Sequence, residues 1–306
     1  MKNFKSSGEG RKKRGALFSL SCLCCALLIG LGSPLWGEEV HHFSPQALAR
    51  LGWAHYDEGG YDLAEDLFRQ ALAKDPRYSG ALVGLGWVFL DSRRYEEAET
   101  FFLRALQVHS RSVDALLGLG WVYYDLERHE EGERIFEFLV RVDPEFPQAW
   151  SGLGWSVLER GDPRRAREFF EKGLALDSGD RDLWNGLGWA FYDDERYAEA
   201  YQAFFKAVRH SPGDPYPLNG LGWALLELQR CEEAEKAFLQ ARERDASLED
   251  PLLGFAYACL CQGKYAAARK AYEDLLSLAP DHSEALEGLE ELRLREAAEL
   301  EAPQGD

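Results

Sequence analysis

Past residue 37 the chain has three cysteines, Cys231, Cys259 and Cys261, too few for a disulfide scaffold. Cys259 and Cys261 lie two apart in a stretch that reads as helix, so they do not face each other. Cys231 and Cys259 are the pair an oxidising compartment would join, but small apolar core filler is the simpler reading. Positive charge is also short. The 35 Lys and Arg stand against 53 Asp and Glu, a net −18. Six of those bases and one acid fall in the first 37 residues, so the remainder carries −23. A field of that sign repels nucleic acid and anionic lipid and draws cationic partners. Catalytic motifs are missing as well: there is no nucleophile elbow, no His-Glu-x-x-His helix and no phosphate loop. Of the seven histidines only His41 and His42 adjoin, and the one Cys-x-x-Cys spacing, Cys22 to Cys25, sits in an apolar run. No metal, cofactor or enzymatic activity is expected.

That apolar run, 16–31, follows a basic stretch ending at Arg14 and precedes Gly-Ser-Pro-Leu-Trp-Gly and Glu38-Glu39. The order is that of a secretory signal, with cleavage expected after Gly37, or after Gly32 as the second choice. The alternative is an uncleaved anchor, the run being slightly short of a membrane span. Export to a bacterial periplasm is the expectation, with membrane contact only if the segment stays attached.

What the chain has in abundance is repetition. Trp53, Trp87, Trp121, Trp155, Trp189 and Trp223 recur every 34 residues, each closing Leu-Gly-Trp, and one more step reaches Tyr257. Gly84, Gly118, Gly152, Gly186 and Gly220 extend five of these to Gly-Leu-Gly-Trp. These glycines stand inside an apolar helical pattern with no strand before it, so they make no dinucleotide loop. Phe68, Phe102, Phe136, Phe170, Phe204 and Phe238, then Tyr272, keep the same register. So do Ala64, Ala98, Ala166, Ala200, Ala234 and Ala268, broken once by Gly132. Each unit reads as two amphipathic helices with a break between them, as at Glu58-Gly59-Gly60.

Leu85-Gly86, Phe89, Ala98 and Phe102, and Leu119-Gly120, Tyr123, Phe136 and Pro144, resemble the tetratricopeptide repeat signature. The early Trp of that signature is present only at Trp150 and Trp184, and Gly132, Leu139, Gly173 and Leu275 replace its alanines. The resemblance implies an all-α fold, a right-handed α-solenoid of helix–turn–helix units. Seven units tile 45–282 (45–78, 79–112, 113–146, 147–180, 181–214, 215–248 and 249–282). Before them stand the signal segment 1–37 and a lead-in, 38–44; after them come a capping helix, 283–300, and a disordered tail, 301–306. Glu291 falls where the next Trp would be, as suits a solvating cap, while nothing comparable precedes residue 45.

The family's first helices line a concave surface, which the residue after Leu-Gly and the one four further on usually face. Carried over, those columns are Trp53, Trp87, Trp121, Trp155, Trp189, Trp223 and Tyr257, and Asp57, Asp91, Asp125, Glu159, Asp193 and Glu227, ending at Cys261. Tyr56, Tyr124 and Tyr192 alternate with Leu90, Leu158 and Leu226 just before the acids, and Ser151, Asn185 and Asn219 lie one turn before the Trp column. Half-buried, six such Trp would expose on the order of 500 Å² in one stripe, the size of a binding patch; pure inter-repeat packing is the competing reading. A groove of aromatics and carboxylates suits a basic protein or peptide segment, through cation–π contacts and ion pairs. It equally suits a polysaccharide stacked on indole faces, with exported proteins of polysaccharide secretion as an analogy. A third reading is self-association through the N-terminal unit.

Overall fold

The computed structural model describes residues 43–301, with side chains described to residue 294; the signal segment, most of the lead-in and residues 302–306 lie outside them. Among the described residues there are fifteen α-helices and no strand. They form two compact bodies, divided between Asp162 and Pro163.

The first body holds α1 (Pro45–Asp57), α2 (Tyr61–Lys74), α3 (Ser79–Asp91), α4 (Tyr95–Val108), α5 (Val113–Asp125), α6 (His129–Val142) and α7 (Pro147–Glu159). The second holds α8 (Pro163–Leu176), α9 (Arg181–Asp193), α10 (Tyr197–His210), α11 (Pro215–Glu227), α12 (Cys231–Arg244), α13 (Asp250–Cys261), α14 (Tyr265–Leu278) and α15 (Ser283–Glu301). In each body successive antiparallel hairpins stack side by side, the arrangement of an α-solenoid. None of these helices is long and apolar enough to cross a membrane.

Local chemistry sets the helix ends. Ser44 and Ser112 accept a hydrogen bond from the backbone N–H three residues on; Asp180 caps α9 by accepting from Asp182 and Leu183 N–H, and Asp214 caps α11 by accepting from Tyr216 N–H. Proline occupies the first turn of α1, α7, α11 and α13, where its missing N–H costs nothing. Between the two helices of every unit one residue turns left-handed: Gly59, Arg93, Glu127, Gly161, Glu195, Gln229 and Gly263. The next backbone N–H then reaches back to the helix, as Arg94 N does to the Phe89 carbonyl at 2.8 Å. Three units use glycine here and four do without it.

Packing explains the Phe and Gly columns. All six Phe rings are 0 % exposed. Five of them, Phe68, Phe102, Phe136, Phe204 and Phe238, lie between two glycines. A Cβ on Gly52 would come within 2.8 Å of the Phe68 ring, and one on Gly84, in the next unit, closer still. The same pair of near-overlaps recurs around Phe102 (Gly86, Gly118), Phe136 (Gly120, Gly152), Phe204 (Gly188, Gly220) and Phe238 (Gly222, Gly254). Gly288 of α15 receives Tyr272 likewise, so the cap imitates the first helix of another unit while exposing Glu291. At the opposite end Arg50 holds the register of Gly84 and is exposed.

The departures from the repeat pattern are compensated. Leu139 and Leu275 are fully buried where other units have Ala. Gly173 has no space for a Cβ because Leu183 of the next first helix lies 2.6 Å from where it would stand. Elsewhere Ala71, Ala105, Ala207 and Ala241 hold the register of Gly173, and Ala81, Ala115 and Ala149 that of Leu183.

Two outcomes are expected. Gly118→Ala, which in an ordinary helix interior would stabilise by about 1 kcal/mol, should here destabilise by about 1–3 kcal/mol through overpacking against Phe102, read as a lower urea midpoint. Glu127→Gly should instead raise that midpoint by roughly 0.5–1 kcal/mol by relieving a left-handed non-glycine residue.

Candidate functional site

The Gly columns bring the first helices so close that the Trp column goes inside. Trp87, Trp121, Trp155, Trp189 and Trp223 are 1–9 % exposed; Trp53 and Tyr257, at the two ends of the column, are half-buried. Trp87, Trp121, Trp189 and Trp223 each meet their own unit's Phe edge-on, as Trp87 meets Phe102 at 5.6 Å and 82° and Trp121 meets Phe136 at 5.4 Å and 70°. Trp223 also leans on Tyr257 at 5.9 Å. The exposed stripe of six half-buried Trp expected from sequence is therefore absent. An indole face used in packing is not offered to a sugar ring.

The acids four residues on do reach solvent. Asp57, Glu159, Asp193 and Glu227 are exposed and Asp91 and Asp125 half-exposed. They fall into two kinds. Tyr56 donates to Asp91 at 2.7 Å, Tyr124 to Glu159 at 3.0 Å and Tyr192 to Glu227 at 3.1 Å. Each bond runs from an odd-numbered unit to the following even one, which is what the alternation of Tyr and Leu signifies. Burial, then the nearby Asp91 charge, pushes the Tyr56 phenol far above its ordinary range, so it remains a donor. Tyr192 is shifted the same way by burial and Glu227. Asp57, Asp125 and Asp193 belong to the odd units.

Asn185 and Asn219 are buried on α9 and α11. Asn219 Nδ2 donates to Asp250 Oδ2 at 2.9 Å, yet the Oδ1 of both residues accepts no bond from the chain. Near them Asp182, Tyr216 and Asp250, which share one register position in successive units, are half-exposed. Asp214, almost fully buried, pairs with Arg181 at 3.0 Å, joining the two ends of the fifth unit, and Arg181 also donates to Ser211 Oγ at 3.0 Å. In each body the first-helix face is thus a set of carboxylates over a sealed aromatic layer.

Sequence reasoning missed a second ladder. Arg94 lies over the Phe89 ring at 4.2 Å and bridges Glu65 of the preceding unit (2.9 Å) and Glu97. Arg128 repeats this over Tyr123 with Glu99 (3.1 Å) and Glu131, and Lys264 pairs with Glu235 at 2.7 Å. Between α8 and α9 the signs are exchanged: Asp194 receives Arg164 and Arg167. A base at 94, 128 and 264, each with an acid 29 residues before it, was the available signal. Solvent screening keeps each exposed pair worth well under about 1 kcal/mol.

The cysteine reading also changes. Cys231 is bonded to Cys261, the last member of the acid column, and not to Cys259, which is buried filler. Among the described residues no group of His, Cys, Asp and Glu is arranged to hold a metal. With the indoles inside, replacing Trp53 by Phe should remove more iodide-quenchable emission than replacing Trp121 by Phe; equal losses would mean the column is open.

Comparison with known proteins follows the same lines. Profiles described as tetratricopeptide repeat match residues 49–115, 117–181, 156–215 and 253–295, and a second one matches 191–254. Among curated proteins none matches significantly. The crystal structure of the APC/C hetero-tetramer Cut9–Hcn1 is similar with TM-score 0.72 and 18 % identity, over 81 % of this chain and 48 % of that one, so the chain spans about half that relative's length. A tetratricopeptide repeat protein from Parabacteroides merdae gives 0.64 and 17 % over 81 % and 98 % of the two chains. PilF of Pseudomonas aeruginosa gives 0.58 and 22 % over 68 % and 94 %. At these identities the likeness is one of fold. The profiles together span 49–295 apart from residue 116, and the chain belongs to the tetratricopeptide repeat family, whose stacked hairpins serve as scaffolds for protein–protein interaction.

Proposed function

We propose that this protein is an exported, non-catalytic scaffold that holds a basic protein or peptide segment against the acidic face of its first helices. The observation that carries this reading is the division of labour along those helices. The Trp column is buried, while the acids one turn away stay at the surface, in a chain whose net charge past residue 37 is −23. Carboxylates held by a neighbouring phenol keep a defined position and pair with Arg or Lys at little ordering cost.

Export is supported by the basic, apolar and small-residue order of the first 37 residues and by the Cys231–Cys261 bond, since disulfides persist mainly outside the cytosol. The glycan alternative relied on open indole faces and loses its basis with five of them buried. Self-association through the first hairpin meets the exposed Arg50.

A short fluorescein-labelled Arg/Leu peptide, titrated against the full chain, tests the reading. Its affinity should fall by about tenfold from low to high salt, as expected of exposed charges, and again on joint replacement of Asp91 by Asn and Glu159 by Gln, which leave an acceptor for Tyr56 and Tyr124. A Glu/Leu peptide should not bind. Affinity indifferent to salt and to those substitutions would overturn the proposal.

A further inference from the structure

We propose that the Cys231–Cys261 disulfide is a redox-controlled staple that sets how firmly the seventh hairpin, α13 and α14, is held to the sixth. The argument begins with register. Cys231 opens α12 and Cys261 closes α13, 30 residues later. The same two places in the first and second units are Tyr61 and Asp91, whose side chains meet at 3.4 Å. In the fifth and sixth they are Tyr197 and Glu227, and burial with the Glu227 charge pushes the Tyr197 phenol up. The fold therefore brings these two positions together between the first and second units through a hydrogen bond, and between the sixth and seventh through a covalent bond. A Cα–Cα distance of 6.1 Å is within the range disulfides span.

Three features make this bond responsive. Cys261 is exposed, so a thiolate can reach its sulfur, while Cys231 is nearly buried. Attack at Cys261 forms a mixed disulfide and releases Cys231 as thiolate in the first turn of α12, where backbone N–H groups favour negative charge. A second thiol of the reductant then resolves the mixed disulfide, leaving two protein thiols and an oxidised dithiol. Oxidation is the reverse exchange: two thiols pass two electrons and two protons to a disulfide-bearing oxidant. Cys259, two residues away, does not compete. It is fully buried, and burial pushes its thiol up to about 11, so it stays protonated. Finally, the seventh hairpin is the last full unit, where a stack of repeats is least reinforced. Without the bond its polar hold on α12 is exposed or partly so: Gln262 to Glu235 at 2.8 Å and Lys264 to Glu235 at 2.7 Å.

The test uses the full chain purified without reductant, with thiols blocked by alkylation at lysis. Non-reducing peptide mapping should return the Cys231–Cys261 cross-linked peptide. Hydrogen exchange in α13 and α14 should accelerate by about tenfold or more on adding dithiothreitol, as expected for opening a loop of this length, with α1–α6 unchanged. Cys259→Ser should respond as the wild type does. The double variant C231Y/C261D, which restores the residue types of Tyr61 and Asp91, should exchange at one rate with or without reductant. Recovery of Cys231 and Cys261 as alkylated free thiols would overturn the proposal. So would exchange in α13 and α14 that ignores reductant in the wild type, a readout that holds even if a variant fails to fold.

Discussion

A phenyl ring held between two glycines is the contact on which the rest of the stack depends. Gly52 and Gly84 around Phe68, and their counterparts at the other junctions described above, let two first helices close on one ring from opposite sides. Glycine is a poor helix former, at about 1 kcal/mol against alanine, and here two of them stand two residues apart in five first helices. That local loss is offset by burying a whole Phe per unit, worth roughly 1.5–3 kcal/mol in transfer alone, and by the dispersion contacts of a void-free junction. No single hairpin can make the sandwich, since the second glycine belongs to the next unit. Cohesion is thereby a property of neighbours.

The same closeness decides what is left for recognition. Once the helices meet across glycine, an indole directly after that glycine has nowhere to lie but edge-on against its own unit's Phe. The face is then defined by the next side chains along, the carboxylates. Three of these are held by a tyrosine from the preceding unit. Their positions are inherited from the packing and do not depend on a partner to order them.

Helix pairs, turn positions and core columns were legible in the sequence because seven imperfect copies show which positions never vary in kind. The faces of the first helices were legible too, through the family register. Depth was not. Whether Trp155 is half-exposed or 1 % exposed depends on how near the adjacent helix comes, and a periodicity carries angle without distance. The alternation of Tyr and Leu before the acids was visible as a pattern, but its meaning, a bond from odd unit to even, needed coordinates. The Cys231–Cys261 pair was missed because contacts between units run at intervals just short of the repeat, 29 or 30 residues, and only the interval of 34 was compared. Tyr61 and Asp91 would have pointed to it.

A chain of near-copies also faces a problem of addressing: each hairpin resembles every other, and any two might dock in the wrong order while folding. Gly173 and Leu183 bear on this. Large and small are exchanged there relative to the alanine pairs of other units, and the charge order is exchanged as well, with Asp194 taking Arg164 and Arg167. Offered to Gly173, an alanine-bearing helix from elsewhere leaves a hole; offered to an alanine partner, Leu183 overlaps it. The junction of Gly173 with Leu183 is thus keyed, and a keyed junction gives the others a place to be counted from.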